Sequence, residues 1–213
     1  KAISHYYCEL AIEALEEKRL EGARAHLREA IGHDVTNPRT SLLRGELDIR
    51  EGRYDFAISA LRRIKDQDPV YVSESLKFLE QAYQLGNRPQ EELRQYLTDC
   101  LELTPSISIV LTLARSIRDE SGDEAVAKYI ANHLKKNPTI RGLTQLIDLH
   151  IDNTQGVAKE NLALLRSFAE ALVADKPAYH CNGCGFDGKR MRWHCPMCKD
   201  WATITPIFGL EGE

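Results

Sequence analysis

The sequence has no run of apolar residues near the ~20 that a membrane-spanning helix needs, and no signal peptide at its start. It has no large excess of either charge. Lys and Arg number 28 against 32 Asp and Glu, a net charge of −4, which gives no bulk electrostatic reason to seek nucleic acid or an anionic membrane. It has no P-loop, no dinucleotide-binding glycine fingerprint and no H-E-x-x-H pair. The histidines His5, His26, His33, His133 and His150 are scattered along helical patterns and form no spacing motif, so catalysis is not expected. The chain begins at Lys1, not methionine, and is already in helical pattern there. It is therefore expected to be a piece of a longer protein.

Cysteine is also scarce, but it is concentrated. Four of the six lie in Cys181-Asn182-Gly183-Cys184 and Cys195-Pro196-Met197-Cys198, two C-x-x-C turns separated by ten residues. Four thiolates on two tight turns can close a tetrahedron around one borderline or soft cation and leave no position for substrate. Gly185 frees the first turn to curl its N–H groups toward sulfur, and Pro196 stiffens the second. Two disulfides are the alternative, but a chain of this size with a helical core does not need them. A thioredoxin-like pair would need a βαβ setting that is not present. Zinc and iron both accept four thiolates. Zinc is preferred, since nothing suggests an electron-transfer partner. Cys8 and Cys100 fall inside helical patterns as small hydrophobes, and this cysteine usage fits a reducing compartment.

From Ile3 to about Ala174 the pattern is that of paired amphipathic helices with short connections. Ala23, Leu27 and Ala30 return as Ala57, Leu61 and Ile64, a shift of 34. Gly45 precedes Ala57 by twelve and Pro69 follows it by twelve, which are the offsets of the tetratricopeptide pattern. Tyr7, Leu10, Ala11 and Ala14 mark the first helix. Pro105 closes a third unit containing Leu93, Leu97 and Cys100, and Pro138 a fourth containing Ala114, Val126, Ile130 and Leu134. A longer turn is expected around Gly86-Asn87-Arg88-Pro89. A last pair, about 140–151 and 157–174, has lost the consensus, as terminal repeats do. The expected fold is mainly α, a tetratricopeptide-repeat helical solenoid over 1–175, with a small C-terminal rubredoxin-like or zinc-ribbon β module over 178–213.

Lys176-Pro177 ends the helical region, and aromatic and β-branched residues then cluster. Strands are predicted at about Tyr179–His180, Met191–His194 and Ala202–Thr205. So small a module has too little core to fold alone, so metal binding supplies much of its folding free energy. Trp193, Trp201 and Phe208 exceed what it can hide, and some are expected to pack on the helical array. His180 and His194, beside the cysteines, are expected to support the site and not to ligate.

Two surfaces are candidates for partners. Lys189, Arg190 and Arg192 with Trp193 make a basic-aromatic patch of the kind zinc ribbons turn toward nucleic acid, but three charges in an acidic protein fit a solvated turn or a protein contact better. On the repeats, Arg39, Glu46, Arg50, Arg115 and Arg118 are expected to face the groove, where arginine suits acidic or peptide-carboxylate partners.

The opening Ala2-Ile3-Ser4-His5-Tyr6-Tyr7-Cys8-Glu9-Leu10-Ala11, the repeats, and the ending Tyr179-His-Cys-x-x-Cys-Gly-Phe186, Trp193-His194-Cys195-Pro196-x-Cys198, Trp201, Pro206-Ile207 and Gly209-Leu210 resemble the lipopolysaccharide assembly protein B family over essentially the whole chain. The resemblance implies the C-terminal part of an inner-membrane protein of Gram-negative bacteria, with its soluble part facing the cytoplasm and its N-terminal anchor and earliest repeats absent here. It implies a non-enzymatic adaptor that restrains lipopolysaccharide synthesis. That adaptor promotes degradation of the deacetylase committed to lipid A synthesis by the membrane protease FtsH, and contacts other lipopolysaccharide assembly proteins. It carries the four metal ligands of a rubredoxin-type module onto Cys181, Cys184, Cys195 and Cys198. The ten-residue spacer is shorter than in rubredoxins proper, which argues against electron transfer but not against metal. An iron-binding redox protein and a nucleic-acid-binding zinc ribbon are the alternatives.

Overall fold

The computed structural model describes residues 1–213. Ten α-helices come first in the chain, and a three-stranded sheet closes it. No helix is long and apolar enough to cross a membrane. The chain divides into two compact units, Lys1–Thr104 with Lys199–Ala202, and Pro105–Cys198 with Thr203–Glu213.

The first unit holds α1 (Ala2–Glu16), α2 (Leu20–His33), α3 (Pro38–Arg50), α4 (Tyr54–Arg62), the single turn α5 (Ile64–Gln67), α6 (Val72–Leu85) and α7 (Gln90–Leu103). Its repeat positions are buried as the 34-residue shift requires: Ala23, Leu27, Ala30, Ala57, Leu61 and Ile64 are all at most 1% exposed. The reason for small residues is visible at Gly45, where a Cβ would lie 2.4 Å from Leu61 Cγ, so α3 and α4 meet only because no side chain stands between them. The first helix departs from expectation in one respect. Cys8, Ala11 and Ala14 carry its buried face, while Leu10 is turned to solvent.

Caps set the helix starts. The Asn37 side chain accepts from the Arg39 N–H at 3.0 Å, and Pro38 occupies the first turn, where its missing N–H costs nothing. A buried charge cluster braces the α3–α4 turn: Asp48, 1% exposed, accepts from Arg44 at 2.8 Å and from Arg53, and Arg53 also pairs with Glu51 at 2.5 Å.

In the second unit α8 (Ile107–Leu134) is two helices in succession, broken at Gly122, whose φ of +77° is open to glycine at little cost. Together they form the fourth expected pair, and α9 (Ile140–Asp152) with α10 (Val157–Val173) forms the fifth. Ser106 and Thr139 cap α8 and α9 through the N–H groups of Ile109 and Gly142. The Glu213 carboxylate accepts from the hydroxyls of Ser106 and Ser108 at 2.8 and 2.5 Å and from Arg141 at 2.9 Å, tying the last residue to the starts of α8 and α9.

The sheet comprises β1 (Tyr179–Cys181), β2 (Asp187–Gly188) and β3 (Ile204–Pro206) in the order β2-β1-β3, all antiparallel. The strand expected at Met191–His194 does not form. Both edges of β1 are already taken, by β2 and β3, and Met191 packs against the cysteines instead. The third strand starts later than expected because Ala202 has a φ of +53°, which no strand residue adopts.

Candidate metal centre

The first C-x-x-C turn is held by its own backbone. The Cys181 N–H donates to the Phe186 carbonyl at 2.8 Å, and the Gly185 N–H donates back to the Cys181 carbonyl at 2.9 Å. This tight loop needs a left-handed residue directly after its second cysteine, and Gly185 supplies φ +78°. The second turn repeats the device without glycine: Lys199, directly after Cys198, sits at φ +63°. Asn182 donates from its N–H to the Thr203 carbonyl at 2.8 Å, which fixes the first turn against the approach to β3.

The four sulfurs converge. All lie within 4.8 Å of one another, with Cys181 to Cys198 at 3.8 Å and Cys184 to Cys195 at 3.6 Å. A zinc–thiolate bond of ~2.3 Å in a regular tetrahedron places its sulfurs about 3.8 Å apart, so the set already has the size such an ion requires. Cys181 and Cys195 are fully buried against Ile204, Tyr179, Phe186 and Met191, whereas Cys184 is exposed and Cys198 half-buried.

The surroundings favour thiolate at the inner edge. Burial works against ionising Cys181, but the Thr203 hydroxyl 3.2 Å away, the N–H groups of Cys184 and Gly183 and the neighbouring Cys195 outweigh it, and the thiol is brought down to about 6. The Cys184 thiol is instead held above its ordinary value: the Phe186 N–H pulls it down, while burial and the hydrogen bonds with Cys195 and Cys181 raise it. Four sulfurs on rigid turns fit one tetrahedral cation, zinc or iron, with all four positions filled by protein. Such a donor set suits a structural ion that ties β1 to the turn before β3.

Other expected site residues fare differently. His180 donates from Nδ1 to the Asp187 carboxylate across the β1–β2 pair at 2.7 Å, and so braces the sheet. In the basic-aromatic patch, Lys189 donates to the Ala174 carbonyl at 2.8 Å, and Lys189, Arg190 and Arg192 are all exposed. Arg39, expected in an open groove, is 4% exposed: it pairs with Glu9 at 2.8 Å, and its guanidinium lies 5.6 Å from the Trp201 ring. Burial of the α3 start against Trp201 takes it out of the solvent-facing surface. Arg50 binds Glu46 at 2.5 Å and the Leu15 carbonyl at 2.8 Å; Arg115 donates to Thr112, and Arg118 pairs with Asp123. Thr203 went unnoticed in the sequence, because a threonine in a β-rich stretch carries no local sign that it faces sulfur.

Comparison with known proteins bears on both parts. Residues 179–206 match the rubredoxin metal binding domain family, and residues 14–75 match the tetratricopeptide repeat family. Lipopolysaccharide assembly protein B of Escherichia coli (strain K12) is 36% identical over 212 residues, 99% of this chain. The chain is thus similar to lipopolysaccharide assembly protein B along nearly its whole length. The protein of that name from Haemophilus influenzae is 27% identical over 210 residues. The chain spans about half the length of these relatives, 54% and 52% respectively. Among solved structures the MamA protein, 14% identical, superposes with a TM-score of 0.50 over 81% of this chain and 94% of its own, a likeness of fold alone.

Proposed function

We propose that this chain is a non-enzymatic adaptor in the regulation of lipopolysaccharide biosynthesis. The observation that carries the reading is homology to lipopolysaccharide assembly protein B along 99% of the chain, from the repeats through the rubredoxin-type residues. The physical features agree with it. Paired helices present extended surface for protein partners, and the four-cysteine set leaves no open metal position for catalysis. In the finer form of the proposal, the protein acts at the cytoplasmic side of the inner membrane and brings the deacetylase committed to lipid A synthesis to the protease FtsH. Other lipopolysaccharide assembly proteins are further partners, and zinc is the native ion.

The test is affinity capture from detergent-solubilised membranes. The intact protein is compared with a Cys181→Ser, Cys184→Ser variant, and co-purifying proteins are identified. Recovery of the protease and the deacetylase with the intact protein alone supports an adaptor whose metal module is needed for binding. If neither is recovered with either form, the partner assignment fails.

A further inference from the structure

One face of α10 is apolar and uncovered. Val157 is 71% exposed, Leu164 53%, Leu165 56%, Phe168 59% and Leu172 65%, an unusual density of large hydrophobics on a single helix. At 100° per residue these side chains fall within about 100° of arc, together with Asn161, and no charged residue lies among them. The opposite side of the helix packs inward through Ala169 and pairs Arg166 with Asp148. The face is thus neither core nor ordinary polar surface.

We infer that this face is the contact of a symmetric antiparallel dimer, α10 of one copy against α10 of a second. The stripe runs from Val157 to Leu172, and its midpoint falls between Leu164 and Leu165. A two-fold axis through that midpoint sets Val157 opposite the second copy's Leu172, Leu164 opposite Leu165, and the small amide of Asn161 opposite the ring of Phe168. Apolar groups meet apolar groups at the centre and both ends, which is the self-complementarity an isologous interface needs. The five large side chains offer roughly 500 Å² per copy, so a pair buries up to about 1,000 Å², the lower bound for a biological interface. A membrane surface fits less well. Helices that lie on bilayers carry a basic polar face, whereas α10 has Lys159 and Arg166 balanced by Glu160 and Glu170.

Light scattering after size exclusion tests this on the 213-residue chain. The expected mass is twice 24.1 kDa, falling to one chain for Phe168→Glu. Asn161→Lys in addition to Phe168→Glu restores the doubled mass, because only the antiparallel register places those two positions opposite each other. Because Phe168 is exposed, the variants keep their helical circular dichroism. A monomer at every concentration up to ~100 µM overturns the inference. So does a dimer that Phe168→Glu leaves intact. Wild-type monomers that bind phosphatidylethanolamine–phosphatidylglycerol vesicles through Phe168 also overturn it, and assign the face to membrane.

Discussion

The imidazole of His5 lies flat on the indole of Trp201, with ring centroids 5.0 Å apart and planes 8° from parallel. Tyr6 meets the same indole edge-on at 5.5 Å, and the Arg39 guanidinium stands over it. His5 is only 3% exposed, and burial, then the Arg39 charge, lower its pKa from 6.5 to about 4, with Asp34 and Glu9 opposing. The folded state therefore holds His5 neutral where the unfolded chain would protonate it. Its contribution to stability is full above pH 6.5 and is lost as pH falls toward 4, at up to ~1.4 kcal/mol per unit. In urea unfolding, His5→Gln is expected to flatten the loss between pH 6.5 and 4.5. An unchanged slope would show that His5 is not the group responsible.

Asp48 offers a second test, at the turn between α3 and α4. Its carboxylate is buried between Arg44 and Arg53, so Asp48→Ala takes the anion from Arg44 and leaves Arg53 with Glu51 alone. Because those arginines are a quarter to a third exposed, water relieves part of the cost, and a loss of about 2–3 kcal/mol is expected. The solvent-exposed pair Arg19–Glu17 is the control. Glu17→Ala should cost under ~0.5 kcal/mol. Equal effects in chemical denaturation would contradict this account of the turn.

The small residues and the cysteines were readable in sequence because each answers a local demand. Ala23, Ala57 and Gly45 mark close helix approaches at a fixed repeat, and the two C-x-x-C turns follow the size of one ion. What was hidden depends on partners far away in the chain. Arg39 looks like a surface cation until Trp201 and Glu9 cover it, and Met191–His194 looks like a strand until β2 and β3 occupy both edges of β1. The fourth pair was expected between Pro105 and Pro138, but its turn had no assigned position until Gly122 was seen to divide α8.

Gly45 can be tested by addition. A Cβ there meets three carbons of Leu61 at 2.4 to 3.0 Å, so Gly45→Ala should destabilise by about 1–3 kcal/mol despite alanine's better helix propensity. Part of this should be recovered when Leu61→Ala opens the space, giving a coupling of about 1 kcal/mol in a double-mutant cycle. Strict additivity would mean that the two side chains do not compete. Gly52→Ala separates sterics from strain, since Gly52 has open space around it and a φ of +71°.

Removing the metal should separate the two kinds of structure in the chain. The sheet has eight residues in three strands, and its buried centre is Cys181, Cys195 and Ile204, too little to stand without a cross-link. The helices draw on buried clusters of their own, such as Cys8 to Leu47 in the first unit. The purified chain is expected to contain about one metal ion by elemental mass spectrometry, and Cys181→Ser with Cys184→Ser about none. Without metal, Tyr179, Phe186 and the turn around Cys195 should lose amide-exchange protection, because ion binding supplies the free energy that orders them. The far-ultraviolet helical signal and the protection of α1 to α4 should persist. A variant that keeps its metal, or an ordered sheet after chelation, would show that the sulfurs are not what holds this module together.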